Sequence, residues 1–242
     1  MSHSPSILIN GSVKSKETFL FEMIDIKIEN SVWNCFIGAS GVGKSTILRL
    51  LAGLDTHVTL NGRISFSKNK KKKGVKVSYM TQSDLLLPWA TVSKNITIGS
   101  KIRGEEFDIL KKTKIIENVG LTNHLHKYPY QLSGGQKQRV ALARTLMENT
   151  DIVLLDEPFN SLDAKTKEEM YKLTVNELHG KTVILVTHDP NEAVRLCSKI
   201  YLLKKNKISL FRNSISIFPK KSEDKNVFIE QNELLKKILE DD

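Results

Sequence analysis

The stretch Gly38-Ala39-Ser40-Gly41-Val42-Gly43-Lys44-Ser45-Thr46 (GASGVGKST) decides how this chain is read. A glycine, four variable positions and then Gly-Lys-Ser is the spacing of a phosphate-binding loop. Its flanks have the character such a loop requires. Before it, Trp33–Gly38 (WNCFIG) is short and apolar, as in a buried strand. After it, STILRLLAGL sets Ile47, Leu50, Leu51 and Leu54 at the spacing of one helical face. The glycines let the backbone wrap an anion with successive N–H groups, and the helix N-terminus adds partial positive charge. Lys44 is expected to reach the β- and γ-phosphates of a nucleoside triphosphate, and the Ser45 hydroxyl to hold Mg²⁺. Gly38, Ala39, Ser40, Gly41, Val42, Gly43, Lys44, Ser45 and Thr46 are thus the first candidate contacts.

Four further runs of aliphatic residues read as buried strands: Val75–Thr81, Asp151–Asp156, Thr182–Thr187 and Lys199–Leu203. Near-continuously apolar strands separated by helical patterns predict a parallel sheet covered on both faces. Ile24, Ile26 and Ile28 alternate with polar residues instead, as on a half-exposed strand. With Val58–Phe66 they are expected to form a small antiparallel sheet. The fold class expected is α/β: a P-loop NTPase core, mostly parallel sheet flanked by helices, with a small antiparallel β subdomain and an inserted helical subdomain. The core is expected over 1–210, with the helical insert near 82–147. A short extension, 211–242, ends in a loop (FPKKSEDK) and a short surface helix (ELLKKILEDD).

Composition narrows the class. The chain has 242 residues, 40% hydrophobic and 26% charged, enough to bury a core. No apolar run approaches the roughly 20 residues that cross a bilayer. The N-terminal MSHSPSILING lacks a basic start and long apolar middle, so no secretory leader is expected and the chain should stay in the cytosol unless a partner holds it at a membrane. Cys35 and Cys197, far apart in sequence, read as buried or bystander thiols. The net charge is +10, much of it in Lys68, Lys70, Lys71, Lys72, Lys73 and Lys76 and in the KKNK and PKKSEDK segments. No aromatic residues interleave with these lysines, so they read as solvated segments and no nucleic-acid partner is expected.

Ile152-Val153-Leu154-Leu155-Asp156-Glu157 is an apolar strand ending in two acids. A polar end before Pro158 is an ordinary way to finish a strand. In an open parallel sheet, however, ligands bind beyond the strands' carboxyl ends. There Asp156 would lie near Mg²⁺, and Glu157 could position and polarise a water for in-line attack. The strand Thr182–Thr187 ends in His188, which could bond the γ-phosphate or that water, whereas His3, His57, His124, His126 and His179 read as structural or exposed. Gln82 follows another strand, within reach of the metal or water. The catalytic candidates are Glu157, His188 and Gln82; the metal candidates are Ser45, Gln82 and Asp156.

Leu132-Ser133-Gly134-Gly135-Gln136 opens a further helix, with Ser133 and Gln136 spaced as a capping box. The two glycines remain unexplained, since each weakens a helix by about 1 kcal/mol relative to alanine. Bare backbone at a helix N-terminus suits an anion. One subunit already has a phosphate site, so Ser133, Gly134, Gly135 and Gln136 suggest a two-fold dimer whose helix ends cap each other's nucleotide.

These motifs, in this order, resemble the ATP-binding subunits of the ABC transporter family over about Phe19–Leu210. The resemblance assigns Walker A to Gly38–Thr46, the Q-loop residue to Gln82, the signature to Leu132–Gln136, Walker B to Ile152–Asp156 with Glu157 as base, the D-loop to Ser161-Leu162-Asp163 and the switch histidine to His188. It implies ATP and Mg²⁺, a second copy of the chain closing an ATP sandwich, integral-membrane permease subunits and, indirectly, an extracytoplasmic solute-binding protein. The expected place is the cytoplasmic face of the inner membrane. Phe19 or Phe21 would stack on adenine. LLLPW after Gln82 is similar to importers of nitrate, taurine and sulfonates. SVWNCFIGASGVGKSTILRLLAGL and VSYMTQSDLLLPWATV look most like subunits for the hydroxymethylpyrimidine precursor of thiamine. The competing class is a soluble mechanical ATPase, but the interval Thr46 to Leu132 holds no sustained heptads.

The segment Ser83–Val92 (SDLLLPWATV) is read in that frame as a docking surface. Leu87 and Trp89, with Asp163 of the D-loop, are the interface candidates; a core position is the alternative for Trp89 and more so for Leu86, Pro88 fixes a turn, and Ser93 is placed to cap the next helix.

Overall fold

A computed structural model describes residues 4–16, 18–54, 56–67, 74–213 and 219–240. The lysines at 68 and 70–73 lie outside the described residues. In chain order the elements are β1 (Ile7–Ser15), β2 (Thr18–Ile28), β3 (Trp33–Ile37), α1 (Lys44–Leu51), β4 (Val58–Phe66), β5 (Val77–Met80), α2 (Val92–Ile96), α3 (Ile98–Ile102), α4 (Ile109–Asn118), α5 (Gly134–Met147), β6 (Ile152–Asp156), α6 (Ala164–Glu177), β7 (Thr182–Thr187), α7 (Pro190–Leu196), β8 (Lys199–Lys204), β9 (Lys207–Asn213) and α8 (Lys225–Leu239).

The central sheet runs β5-β6-β7-β3-β8-β9, parallel except for β9, which returns antiparallel beside β8. Its inner strands β3, β6, β7 and β8 are buried on both faces, whereas the edge strand β9 is largely exposed, and alternate residues of the inner strands feed two cores. Cys35, Val153, Leu155, Val183, Leu185, Ile200 and Leu202 point into one. Phe36, Ile152, Leu154, Ile184, Val186, Tyr201 and Leu203 point into the other, with α1 and the antiparallel sheet. Burial on both sides is why these strands carry apolar residues without alternation. Their carboxyl ends share one edge, which places Asp156, Glu157 and His188 together.

The antiparallel sheet has the order β2-β1-β4. β2 and β4 are therefore not direct neighbours: β1 lies between them, pairing Ile9 with Ile26 on one side and Ile64 on the other. Ile7, Ile9 and Val13 are its buried face. Their spacing was legible, but a nine-residue strand with glycine in its middle gives a weak signal.

Three local expectations are corrected. Helix α1 ends at Leu51, where Gly53 turns left-handed at φ 66 and its N–H closes on Leu50 O at 3.1 Å. Its buried stripe is Ile47, Leu48 and Leu51, while Leu50 is half-buried and Leu54 exposed, because the helix packs against both the central and the antiparallel sheet. Helix α2 begins one residue before Ser93, with Thr91 at its N-cap position; the Ser93 hydroxyl accepts from Lys112 Nζ at 2.8 Å. The C-terminal helix is longer than expected and not merely superficial: α8 buries Val227 and Leu234 in the same core as α7. The free thiols Cys35 and Cys197 are both buried and interact with one another, and burial pushes the Cys35 thiol up.

Candidate active site

The phosphate loop leaves β3 and enters α1 through Gly43, which occupies the N-cap position at φ 102 with no side-chain cap. Gly41 is also left-handed (φ 79), and no heavy atom lies within 4 Å of where its Cβ would stand. The loop thus presents bare backbone around an open concavity. Lys44 folds over it, donating to Gly38 O at 2.8 Å and Ala39 O at 2.7 Å. Burial depresses the Lys44 pKa, and the charges of Glu157 and Asp156 oppose that. Ser45 Oγ donates to Asp156 Oδ1 at 3.0 Å, and Tyr79 OH donates to Oδ2 at 3.0 Å. Burial raises the Asp156 pKa while these two hydrogen bonds pull it down. Tyr79 is pushed up to about 12, by burial first and then by the Asp156 charge. Nothing in the sequence had singled Tyr79 out.

A cleft of about 520 Å³ adjoins the loop, lined by Phe19, Leu20, Gly38–Val42, the β8–β9 turn and Ile238. The Lys14 ammonium sits 4.2 Å from the Phe19 ring centroid. Phe21 is fully buried in the core, which removes it as a stacking candidate and leaves Phe19.

Glu157 is the first residue past β6 and has φ 50, a left-handed conformation that costs a non-glycine residue energy. Its N–H bonds Val186 O at 2.9 Å. The turn aims its carboxylate back across the strand ends. Oε2 accepts from Gln82 Nε2 at 3.1 Å and from the Asn160 amide; Oε1 lies 3.2 Å from His188 Nδ1. The three side chains singled out from sequence, Gln82, Glu157 and His188, therefore converge. Asn160 was missed, though it stands three residues on in a turn. His188 is fixed from behind: Thr187 Oγ1 donates to Glu192 Oε2 at 2.6 Å, and Lys167 and Tyr171 hold Oε1 of this fully buried carboxylate.

The second helix end is built differently. Ser133 Oγ accepts from Gln136 N–H at 3.3 Å, Gln136 Oε1 accepts from Ser133 N–H at 2.9 Å, and Gln136 Nε2 meets His124 Nε2 at 3.0 Å. His124 is therefore a structural support of the motif. Gly135 has a reason inside its own chain: a Cβ there would stand 2.9 Å from Ser161 O. The expectation that both glycines are bare only for an anion is corrected at this position. Gly134 has nothing within 4 Å of its Cβ position. Asp163 caps α6, accepting from Thr166 N–H at 3.0 Å and Thr166 Oγ1 at 2.7 Å.

In the apolar segment, Leu86 is buried and Leu87 half-buried, with the Leu87 N–H donating to Asn95 Oδ1 at 2.8 Å. Trp89 is 75% exposed and Leu85 61%, so the tryptophan is surface and not core. Arg144 of α5 donates to Asp84 O at 2.7 Å and Leu85 O at 2.9 Å, holding the segment against that helix.

The arrangement can hold a triphosphate on the loop, a divalent cation at Ser45 and Asp156, and a water against Glu157. The ABC transporter profile matches residues 21–160. An uncharacterised ABC transporter ATP-binding protein of Haemophilus influenzae is 41% identical over 201 residues, covering 82% of this chain and 79% of the relative. The aliphatic sulfonates import ATP-binding protein SsuB 1 of Rhodococcus jostii is 36% identical over 239 residues, covering 97% and 94%. A bacterial Atm1-family ABC exporter with ATP bound superimposes with a TM-score of 0.73 at 22% identity over 86% of this chain and 39% of that one, a likeness of fold alone. The chain belongs to the ABC transporter family, as one of its transport-coupled ATPases.

Proposed function

We propose that the chain is the ATP-hydrolysing subunit of an importer for small organic solutes, acting as a two-fold dimer beneath a separate permease on the cytoplasmic face of the membrane. The observation that carries this is the Glu157 carboxylate, gripped by Gln82 and Asn160 and faced by His188. Lys44 and the backbone of Gly38–Thr46 bind the phosphates. Glu157 orients and polarises the attacking water, and Gln82 and His188 hold that carboxylate and the water in register. The Ser45–Asp156 oxygens fit Mg²⁺, a hard cation that takes few protein ligands and completes its shell with water and phosphate. Bound there, it would neutralise charge on the phosphates. Ser133–Gln136 of a second copy would close over the γ-phosphate, with Asp163 near the seam.

Trp89 and Leu87 are the proposed permease contacts. A cleft of about 1090 Å³ between β5 and the helical insert, lined by Tyr79, Ile98, Phe107 and Arg144 among others but not by Leu87 or Trp89, has the size for a short helix. Large exposed aromatics dominate such contacts. For the solute, the sulfonate relative matching nearly the whole chain supports an aliphatic sulfonate. The resemblance of the phosphate-loop and LLLPW stretches supports the hydroxymethylpyrimidine precursor as the second reading.

The test has two arms. Glu157→Gln should bind ATP and lose hydrolysis by about 10²-fold or more, accumulating as a closed dimer; normal turnover sinks the assignment of the base. Reconstitution with its permease should give ATPase stimulated by sulfonate or by pyrimidine. Stimulation by neither would overturn both solute readings.

A further inference from the structure

Gln138 lies on the second turn of α5 and is buried. Its amide spans the loop that follows the catalytic carboxylate. Nε2 donates to the main-chain oxygen of Glu157 at 3.0 Å, and Oε1 accepts from the Ser161 N–H at 2.7 Å. One turn back, Gly135 brings the same helix against the Ser161 carbonyl. Loop 157–161 is thus fastened to the signature helix at both ends of one side chain. It is also a loop that needs fastening. Glu157 is held left-handed at φ 50, and such a conformation persists only where its surroundings over-determine it. Val186 supports its N–H side, and Gln138 supports its C=O side.

We propose that Gln138 is a positioning residue that makes Glu157 in one nucleotide site answer to the signature helix at the other. The proposal rests on the two-fold dimer reading above: α5 begins at the residues that would touch the partner's nucleotide, while Glu157 serves the nucleotide of its own subunit. A shift or rotation of the α5 N-terminus on engaging the partner's γ-phosphate is carried rigidly down one helical turn. The Gln138 amide, with both its groups used, passes it into the backbone of Glu157. Loss of the amide would leave the buried Glu157 C=O unpaired and release the part-buried Ser161 N–H, freeing the turn that aims the carboxylate. Nucleotide binding at the loop of the same subunit, which uses Lys44 and the α1 end, does not pass through this contact.

The experiment measures ATPase rate against ATP concentration, with binding of a fluorescent ATP analogue and thermal melting as controls. Wild type should be cooperative. Gln138→Met, similar in size but unable to make either bond, should lower kcat about tenfold, leave analogue affinity within about twofold and bring the Hill coefficient to about one. Gln138→Glu gives a signature independent of folding yield. When protonated, its carboxyl can donate to Glu157 O and accept from Ser161 N–H as the amide does; when ionised it can only accept. Its kcat relative to wild type should therefore recover as pH falls. Unchanged kcat and cooperativity in Gln138→Met overturn the proposal. So does a pH-independent Gln138→Glu whose only defect is a lower melting temperature. Mixed dimers with Ser133→Arg in one subunit that fire at both sites would overturn the two-fold reading itself, and this proposal with it. Single-site firing in those dimers, alongside a cooperative Gln138→Met, overturns the proposal alone.

Discussion

Two helices in this molecule begin at glycine-rich motifs, and their first turns are finished in opposite ways. At the start of α1, Gly43 is left-handed and offers no cap, so the donors of the first turn face the loop's concavity. At the start of α5, Ser133 and Gln136 satisfy each other's backbone N–H groups, and His124 holds the Gln136 amide. A helix end leaves its first N–H groups without partners, and they must be met by side chains, water or a ligand. The α1 end is built to be met by a ligand. The α5 end is already shaped by its own side chains and keeps its glycines for approach: Gly135 toward Ser161, Gly134 toward open space. Similar motifs are thus finished differently, one with its first turn left open and the other closed by its own capping box.

The largest expected effect separates the two ends. Lys44→Ala should weaken ATP binding by on the order of 10²-fold or more, read by equilibrium titration, because it removes a charged donor from the cradle. Ser133→Arg should change that affinity by no more than about threefold while abolishing hydrolysis. If both variants lose binding alike, the two ends are not functionally distinct. The glycines sharpen the contrast within one turn. Gly135→Ala should cost about 1–2 kcal/mol in urea unfolding and lower kcat, since its methyl would press on Ser161 O. Gly134→Ala should be neutral or stabilising by up to ~1 kcal/mol. Equal costs at the two positions would remove the packing account. Trp89→Ala should shift stability by less than ~0.5 kcal/mol and yet uncouple transport in the reconstituted complex. A large loss of stability would return the tryptophan to the core.

The smallest effect lies away from both ends. Arg195 of α7 grips both oxygens of Glu168 on α6 and holds its carboxyl below the usual 4.5. A depressed folded pKa contributes stability above the unfolded value and loses it as pH falls below about 4.5. Glu168 is partly exposed, so the contribution is a few tenths of a kcal/mol. Glu168→Gln should flatten the acid limb of the melting profile slightly and leave the neutral-pH ATPase unchanged; a strong effect at neutral pH would tie this pair to the site.

The legibility of the molecule follows the range of the interactions. Gly38–Thr46, the strand ending in Asp156-Glu157 and the Ser133–Gln136 box carry their chemistry in consecutive residues, so the sequence displays it. The expected α1 stripe was misplaced because helical period alone does not say that two sheets press on that helix. The role of Gly135 was misread because Ser161, its reason for being glycine, is 26 positions away in the chain. Tyr79, Asn160 and Gln138 were not singled out at all, since each acts on a group that only folding brings within reach.

The sequence by itself determined that a phosphate loop sits between strand and helix, that two acids end a buried strand, and that a capped glycine pair opens another helix. Local hydrogen bonding and periodicity suffice for these. Only the tertiary structure decided that Gln82, Glu157 and His188 meet and that the tryptophan lies on the surface. It also decided that one buried amide fastens the signature helix to the catalytic turn. Those facts depend on parallel strands from distant parts of the chain aligning their carboxyl ends, and hydrogen bonding across a sheet is a property of the packed whole.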